Sequence, residues 1–349
     1  MLIFLIMAGG SGERFWPLST KQKPKQLLKV FSDKSLIRLT YERILPLVSK
    51  NQIFIATNEI QVEALKNDLS EVPDDRIIIE PMFRDTAAAI AYGSMIISKY
   101  YDNPVICVLP SDALISDEDG FRKIVQIAEK DALNGNIVTF GMKPTYPETG
   151  YGYIECNNPK LEVPTKSLGF KEKPQYELAK QYVESGNFLW NSGMFTFKHN
   201  VILEALRKYS LNHYETISKI DKLITKNEGI KTAEISKVYF PEFEKKSIDF
   251  AVMEKADNID VIPASFGWND VGNYIAFEEL FDKDENGNIS KNVNCISVDS
   301  NNNIIVSDNE VQRVSLLGVN DMIVSITNKE ILICPKNKNQ EIKKILKLI

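Results

Sequence analysis

Histidine and cysteine are scarce in this chain: His199 and His213 are its two histidines, and Cys107, Cys156, Cys295 and Cys334 its four cysteines. No two cysteines form a CxxC pair and no zinc-ligand spacing exists, which excludes a zinc site of the usual kind. Scattered single cysteines fit reduced, buried thiols in a cytoplasmic protein. Long apolar runs are missing too. Beyond the N-terminus the longest uncharged stretch is Thr86 to Ser98, well short of the roughly 20 residues a membrane span needs. Met1 to Ala8 is apolar but short and without a basic leader, so it reads as a buried strand rather than a signal peptide. Nor is there a basic excess: the net charge is −5 and the signs are mixed. That argues against nucleic-acid binding, yet leaves room for a small phosphorylated ligand held by a few placed cations. The expectation is a soluble, cytoplasmic protein with no nucleic-acid and no membrane partner.

Apolar residues make up 44% of the 349 positions, enough for one large α/β domain and a smaller unit. Leu2–Met7, Ile53–Thr57, Ile77–Glu80, Val105–Leu109 and Ile137–Gly141 are short apolar runs of the kind buried parallel strands use. Between them, Leu36 to Val48, Thr86–Tyr100 and Phe121–Asp131 carry helical spacing. This rhythm predicts a doubly wound, mostly parallel α/β sheet of Rossmann-like form with right-handed crossovers. After Gly141 the pattern loosens. Tyr151–Glu155, Ser167–Lys171 and Gly193–Lys198 read as strands, with helices near Tyr176–Glu184, across 201–229 and from Ser247 to Glu254. Asp260–Ala264 looks like a strand returning to the sheet. The polar stretch Asp282–Asn288 marks a boundary between a catalytic domain, 1–281, and a small C-terminal all-β unit, 289–349. Five short runs follow it: Cys295–Val298, Ile304–Val306, Val314–Leu317, Met322–Ile326 and Ile331–Cys334. A β-helix-like coil is one form they could take, although no strict repeat is visible. Ile342, Ile345 and Leu346 among lysines predict a closing helix with one face on the body.

The chemistry concentrates first in Ala8-Gly9-Gly10-Ser11-Gly12-Glu13-Arg14-Phe15-Trp16-Pro17-Leu18-Ser19, directly after the first strand. Ligands of α/β sheets bind at the carboxyl ends of strands. Glycines let backbone N–H groups approach a phosphate closely, and Arg14 can make a bidentate phosphate contact. The run is neither a P-loop, lacking Gly-Lys-Ser/Thr, nor a dinucleotide fingerprint, since Phe15 stands at the third glycine, nor a nucleophile elbow. Lys25, in Pro24-Lys25-Gln26, can fold back over the same phosphates and complete a cationic clamp with Arg14.

Together these two segments resemble the signature of the sugar nucleotidyltransferases, and Phe15-Trp16-Pro17-Leu18-Ser19 is most similar to the mannose-1-phosphate guanylyltransferase branch. Glu80-Pro81-Met82-Phe83-Arg84-Asp85-Thr86-Ala87-Ala88-Ala89-Ile90 resembles that branch's E-P-x-x-R-N-T-A-P-A-I, with Asp85 for Asn and Ala88 for Pro. Leu109-Pro110-Ser111-Asp112-Ala113 resembles its metal-binding P-x-D-H turn, with Ala113 for His. The segments at 149–154, 170–174, 190–195, 247–254 and 268–272 are similar as well, so the likeness runs in order from residue 1 to about 275. The downstream isomerase domain of some members has no counterpart here, and isomerase activity is not expected.

The resemblance implies transfer of a guanylyl group from GTP to α-D-mannose 1-phosphate, with Mg2+ as cofactor; the alternatives are another sugar-1-phosphate nucleotidyltransferase, using glucose 1-phosphate with UTP or dTTP, and a non-catalytic regulatory homologue that binds nucleotide sugars. It implies catalytic roles for Arg14 and Lys25, nucleotide contacts from Ala8, Gly9, Gly10, Gly12, Glu80, Asp85 and Thr86, and metal ligation by Asp112 and Asp270. Lys173 is the candidate for the sugar phosphate, Glu172 and Asn191 for sugar hydroxyls, and Gly152 for backbone access to the ring. By composition alone Lys171-Glu172-Lys173-Pro174 would be a solvated charged loop; the family pattern turns it into a site. The residue types suit the chemistry. A sugar 1-phosphate is already an anion that can attack in line, so positioning and charge neutralisation replace a side-chain base. Two carboxylates from distant segments are hard oxygen ligands of the kind Mg2+ takes. The N-terminus of the helix that Thr86 opens favours nucleotide oxygens, and Glu80 or Asp85 can accept from guanine N–H groups. A homodimer is expected, with the small β unit as a surface for it.

Overall fold

The computed structural model describes residues 1–10 and 12–348; Ser11 of the glycine-rich run, Ile349 and the side chains of 310–312 lie outside what is described. Five parallel strands carry the expected apolar runs: β1 (Leu2–Met7), β2 (Ile53–Asn58), β3 (Ile77–Glu80), β4 (Val105–Pro110) and, after the short β5 (Leu114–Ile115), β6 (Ile137–Met142). The later strands of the large unit are β7 (Tyr153–Cys156), β8 (Thr165–Lys171), β9 (Phe188–Lys198), β10 (Ile259–Ala264) and β11 (Trp268–Asn269). Nine of them form one sheet in the order β3-β2-β1-β4-β9-β6-β10-β8-β7. β9 runs antiparallel between β4 and β6, and β10 pairs parallel with β6. The sheet is therefore mixed and mostly parallel in its first half.

Both faces of the sheet are covered, as side-chain alternation along a strand requires. Phe4 and Ile6 of β1 enter one core with α1 (Leu36–Ile44) and α4 (Glu118–Leu133), whereas Ile3 and Leu5 enter the other with α3 (Asp85–Ser98); α2 (Val62–Asp68) lies on the first face. Ser35 caps α1 by accepting from Arg38 N at 3.1 Å, and Asp117 caps α4 by accepting from Gly120 N at 2.9 Å. α3 sits close on the sheet because its sheet-facing residues are small. A Cβ at Gly93 would meet Leu5 Cδ2 at 2.5 Å.

Several predicted elements change form. The helical stretch 201–229 is two helices, His199–Tyr209 and Leu211–Asp221, and the helix at Ser247–Glu254 is a π-helical turn, Asp249–Met253. In the C-terminal unit the runs Ile304–Val306 and Val314–Leu317 are the two ends of one long strand. The unit comprises β12 (Ile289–Val298), β13 (Ile304–Leu317), β14 (Met322–Ile326) and β15 (Ile331–Pro335). The first three are parallel and in coil-like succession, stacking Ile289 on Ile304 on Ile323. Asparagines hold the turns: Asn288 Oδ1 accepts from Asn303 N and Nδ2, and Asn303 Oδ1 accepts from Met322 N. The successive separations are 15 and 19 residues, which hid the repeat from a search for a fixed period. The closing helix is a 3₁₀ stretch, Lys336–Lys347, with Ile342 buried.

The two units share a core. Phe15, Trp16 and Leu18 of the glycine-led run pack with Ile289, Ile304, Val306, Ile323 and Ile342 of the C-terminal unit. Phe15 and Trp16 therefore anchor the loop on the C-terminal unit. Tyr274 Oη lies 2.9 Å from the Phe15 carbonyl and 2.8 Å from Ser325 Oγ, deep in this seam. Tyr274→Phe would leave a buried carbonyl and a hydroxyl short of a partner, so it should lower the unfolding free energy by about 1–3 kcal/mol. A urea titration checks this, and an unshifted midpoint would show that the seam does not need the bond.

Candidate active site

The glycine-led loop leaves the carboxyl end of β1 and is held from below. Gln26 Nε2 donates to the carbonyls of Ala8 at 2.8 Å and Gly10 at 3.3 Å, and Gln61 Nε2 donates to Gly10 at 3.1 Å. Ser19 Oγ donates to the Gly12 carbonyl at 2.6 Å. Gln26 stood in the Pro24-Lys25-Gln26 signature without a role of its own, and Gln61 carried no sequence signal beyond its place after β2. Gly12 has φ +66°, and a Cβ there would fall 2.3 Å from Lys25 Cβ, so only glycine lets the Lys25 segment lie against the loop.

Two adjoining clefts open above this platform and share Arg14 and Asp270. One is lined by Gly12, Glu13, Arg14, Lys25, Asp112 and Asp270. The other adds Thr86, Gly152, Glu172, Lys173 and Asn191 to Arg14 and Asp270. Lys25 is buried at 5% exposure, and its Nζ lies 2.9 Å from Asp112 Oδ2 while donating to the Asp270 carbonyl at 2.7 Å. Arg14 is exposed where the clefts meet, 3.9 Å from where a Cβ on Gly272 would lie.

Asp112 follows β4 and Asp270 follows β11, so the tertiary fold brings the two carboxylates together. Burial raises the Asp270 carboxyl above its ordinary range; Lys25 opposes this, Asp112 adds to it, and Arg14 and Lys173 oppose it. A divalent cation fits such a pair, because it would offset the burial and the mutual repulsion. Among the described residues no third acidic, histidine or cysteine ligand joins them, so phosphate and water oxygens would complete the shell.

Other predicted residues play parts that differ from expectation. Ala8, Gly9, Gly10, Glu80 and Asp85 are not in the walls of either cleft. The Ala8 carbonyl is taken by Gln26 and Thr57, and Asp85, at φ +68°, turns its carboxylate onto Thr86 N at 2.8 Å. Asp85 thereby serves the α3 N-terminus. Glu80 is buried beneath Gly9, and burial pushes its carboxyl up to about 8. Thr86 lines the second cleft, with Oγ1 accepting from Ile248 N at 2.9 Å. The space above Gly152 is filled by Glu172: a Cβ would meet Oε2 at 2.6 Å. Gly152 thus makes room for that carboxylate in the wall of the second cleft. Glu172 pairs with Lys173, whose φ is +46°, in a position that L residues rarely adopt and that often marks a functional site.

Asp249 escaped the sequence reading, although an acid inside Ile248-Asp249-Phe250-Ala251-Val252 was the available signal. It lines the second cleft and accepts from Asn191 Nδ2 at 2.9 Å. Burial, reinforced by Glu172, pushes its carboxyl from 3.8 to about 6. The folded state keeps a proton that the unfolded chain has released, so stability falls as pH rises from 3.8 through about 6. The full shift corresponds to ~3 kcal/mol, reduced to about 1–2 for a partly exposed group. Asp249→Asn should therefore stabilise the protein by that amount at neutral pH, and the gain should shrink as pH falls below about 6. Denaturant midpoints across pH test it; a gain that grew toward low pH would contradict the sign.

The nucleotidyl transferase family model matches residues 3–287, and that of the MannoseP isomerase/GMP-like beta-helix domain matches 293–349. The mannose-1-phosphate guanylyltransferase of Salmonella montevideo is 38% identical over 359 residues, spanning 100% of this chain and 74% of that relative. Mannose-1-phosphate guanylyltransferase 2 of Escherichia coli O157:H7 is 36% identical, spanning 100% and 73%. A solved structure, described as mannose-1-phosphate geranyltransferase from Thermus thermophilus, is similar with a TM-score of 0.87 at 32% identity over 99% of this chain and 98% of that one. The chain therefore belongs to the nucleotidyl transferase family, as a sugar nucleotidyltransferase whose relatives carry the name mannose-1-phosphate guanylyltransferase.

Proposed function

We propose that this protein transfers a guanylyl group from GTP to α-D-mannose 1-phosphate, releasing pyrophosphate and forming GDP-mannose. The observation that carries the reading is the pair of clefts joined at Arg14 and Asp270. The triphosphate lies along Gly12, Arg14 and Lys25; the sugar phosphate enters beside Glu172, Lys173 and Asn191. The acceptor phosphate oxygen forms the new P–O bond at the α-phosphorus, and the bond to the β-phosphate oxygen breaks in line. Arg14 and Lys25 hold the phosphates and take up the charge that develops on the leaving pyrophosphate. Asp112 and Asp270 would hold Mg2+, which supplies further neutralisation of the polyphosphate when bound. Asn191, fixed by Asp249, and Glu172 orient the sugar hydroxyls.

The test is pyrophosphate release with Mg2+ and mannose 1-phosphate, comparing GTP, UTP, dTTP and ATP, then exchanging the acceptor for glucose 1-phosphate. Preference for GTP with mannose 1-phosphate is expected. Preference for another pair would keep the chemistry and refute the substrate assignment.

A further inference from the structure

Among the described residues, the cleft that contains Arg14, Lys25, Asp112 and Asp270 has one wall residue from outside the catalytic unit, Lys343. It lies in the 3₁₀ stretch Lys336–Lys347, next to Ile342, which is 3% exposed and packs with Phe15 and Trp16. Residues of a 3₁₀ helix point about 120° apart. With Ile342 turned into the seam, its two successors diverge: Lys343 borders the cleft, and Lys344 pairs with Glu341. Lys338 pairs with the same glutamate. Lys343 makes no ion pair with any described residue.

Charge in the cleft makes this placement consequential. Arg14 and Lys25 share the space with Glu13, Asp112 and Asp270, and Lys25 is already engaged by Asp112. A nucleoside triphosphate adds several more negative charges, so a further cation at the rim meets an uncompensated anion. The Arg14-bearing turn and the Lys343-bearing stretch are also tied to one apolar core, which keeps their separation constant without contact between the two cations.

We propose that Lys343 binds the terminal phosphates of the nucleoside triphosphate and the pyrophosphate that leaves, so that the C-terminal unit completes the polyphosphate site. The inference rests on the nucleotidyl transfer proposed above. In Lys343→Ala, KM for GTP in the forward direction and for pyrophosphate in the reverse direction should each rise about tenfold, the worth of one charge-assisted contact. KM for mannose 1-phosphate and for GDP-mannose, neither of which carries the terminal phosphates, should stay within about twofold of wild type, and Lys343→Arg should recover most of the loss. Lys344→Ala, on the same stretch, should match wild type. Unchanged KM values for GTP and pyrophosphate would overturn the proposal, and so would an equal rise in all four, which is the mark of a purely structural role. Calorimetry with pyrophosphate reads the same contact without turnover. A wild-type protein that binds pyrophosphate through Lys343 yet transfers no nucleotide would refute the functional reading alone; an active enzyme whose pyrophosphate affinity ignores Lys343→Ala would refute this inference alone.

Discussion

Lys25→Ala is expected to lower kcat roughly 100- to 1000-fold, the loss typical of one preorganised donor to a developing charge. The side chain is 5% exposed and reaches two parts of the site at once, Asp112 at 2.9 Å and the Asp270 carbonyl at 2.7 Å. Removing it takes a cation from the leaving group and leaves both carboxylates facing each other with less compensation. Arg14→Ala should cost a similar factor, because Arg14 stands where the two clefts meet. Asp112→Asn should instead raise the Mg2+ concentration needed for half-maximal rate. Single-turnover pyrophosphate release measures all three. Near-normal kcat in Lys25→Ala would dismiss the clamp, and an unchanged Mg2+ titration would remove Asp112 from the metal site.

Gly12→Ala should be as damaging as loss of Lys25, by geometry rather than charge. Alanine at φ +66° carries a backbone penalty of about 1–2 kcal/mol. Its Cβ would also meet Lys25 Cβ at 2.3 Å and Lys25 N at 2.9 Å. Backbone cannot swing aside as a flexible side-chain tip can, so the 24–26 segment must move, and Lys25 and the loop-pinning Gln26 move with it. A drop in kcat of about 100-fold or more is expected with a modest fall in Tm. Activity within threefold of wild type would mean that the loop tolerates the displacement and that the Lys25 position is not demanding.

Much of this site was legible because its signals are local. The apolar runs from Leu2 to Gly141 are long enough to be read as buried parallel strands, and the glycines with Arg14 and Lys25 lie within one short segment. Gly12 was readable as a glycine that serves a close approach, and the partner the fold brings to it is Lys25. Gly152 works in the same way: a missing side chain announces crowding, and that Glu172 is the neighbour is a tertiary fact. Asp85 looked like a ligand and is a helix N-terminal acceptor, since a short carboxylate satisfies its own backbone first.

What the sequence determined by itself was the α/β class, the positions of the first strands and the family. These follow from side-chain periodicity and from chemistry confined to a few neighbouring residues. Only the tertiary structure decided that β9 inserts antiparallel between β4 and β6, that Asp249 holds Asn191, and that Lys25 meets the Asp270 carbonyl 245 residues away. It likewise decided that Phe15 and Trp16 seat the loop on the C-terminal coil and bring Lys343 to the cleft. The physical reason is common to all of these: burial against a distant partner is settled by how whole layers pack, and no spacing along one chain encodes which layers meet.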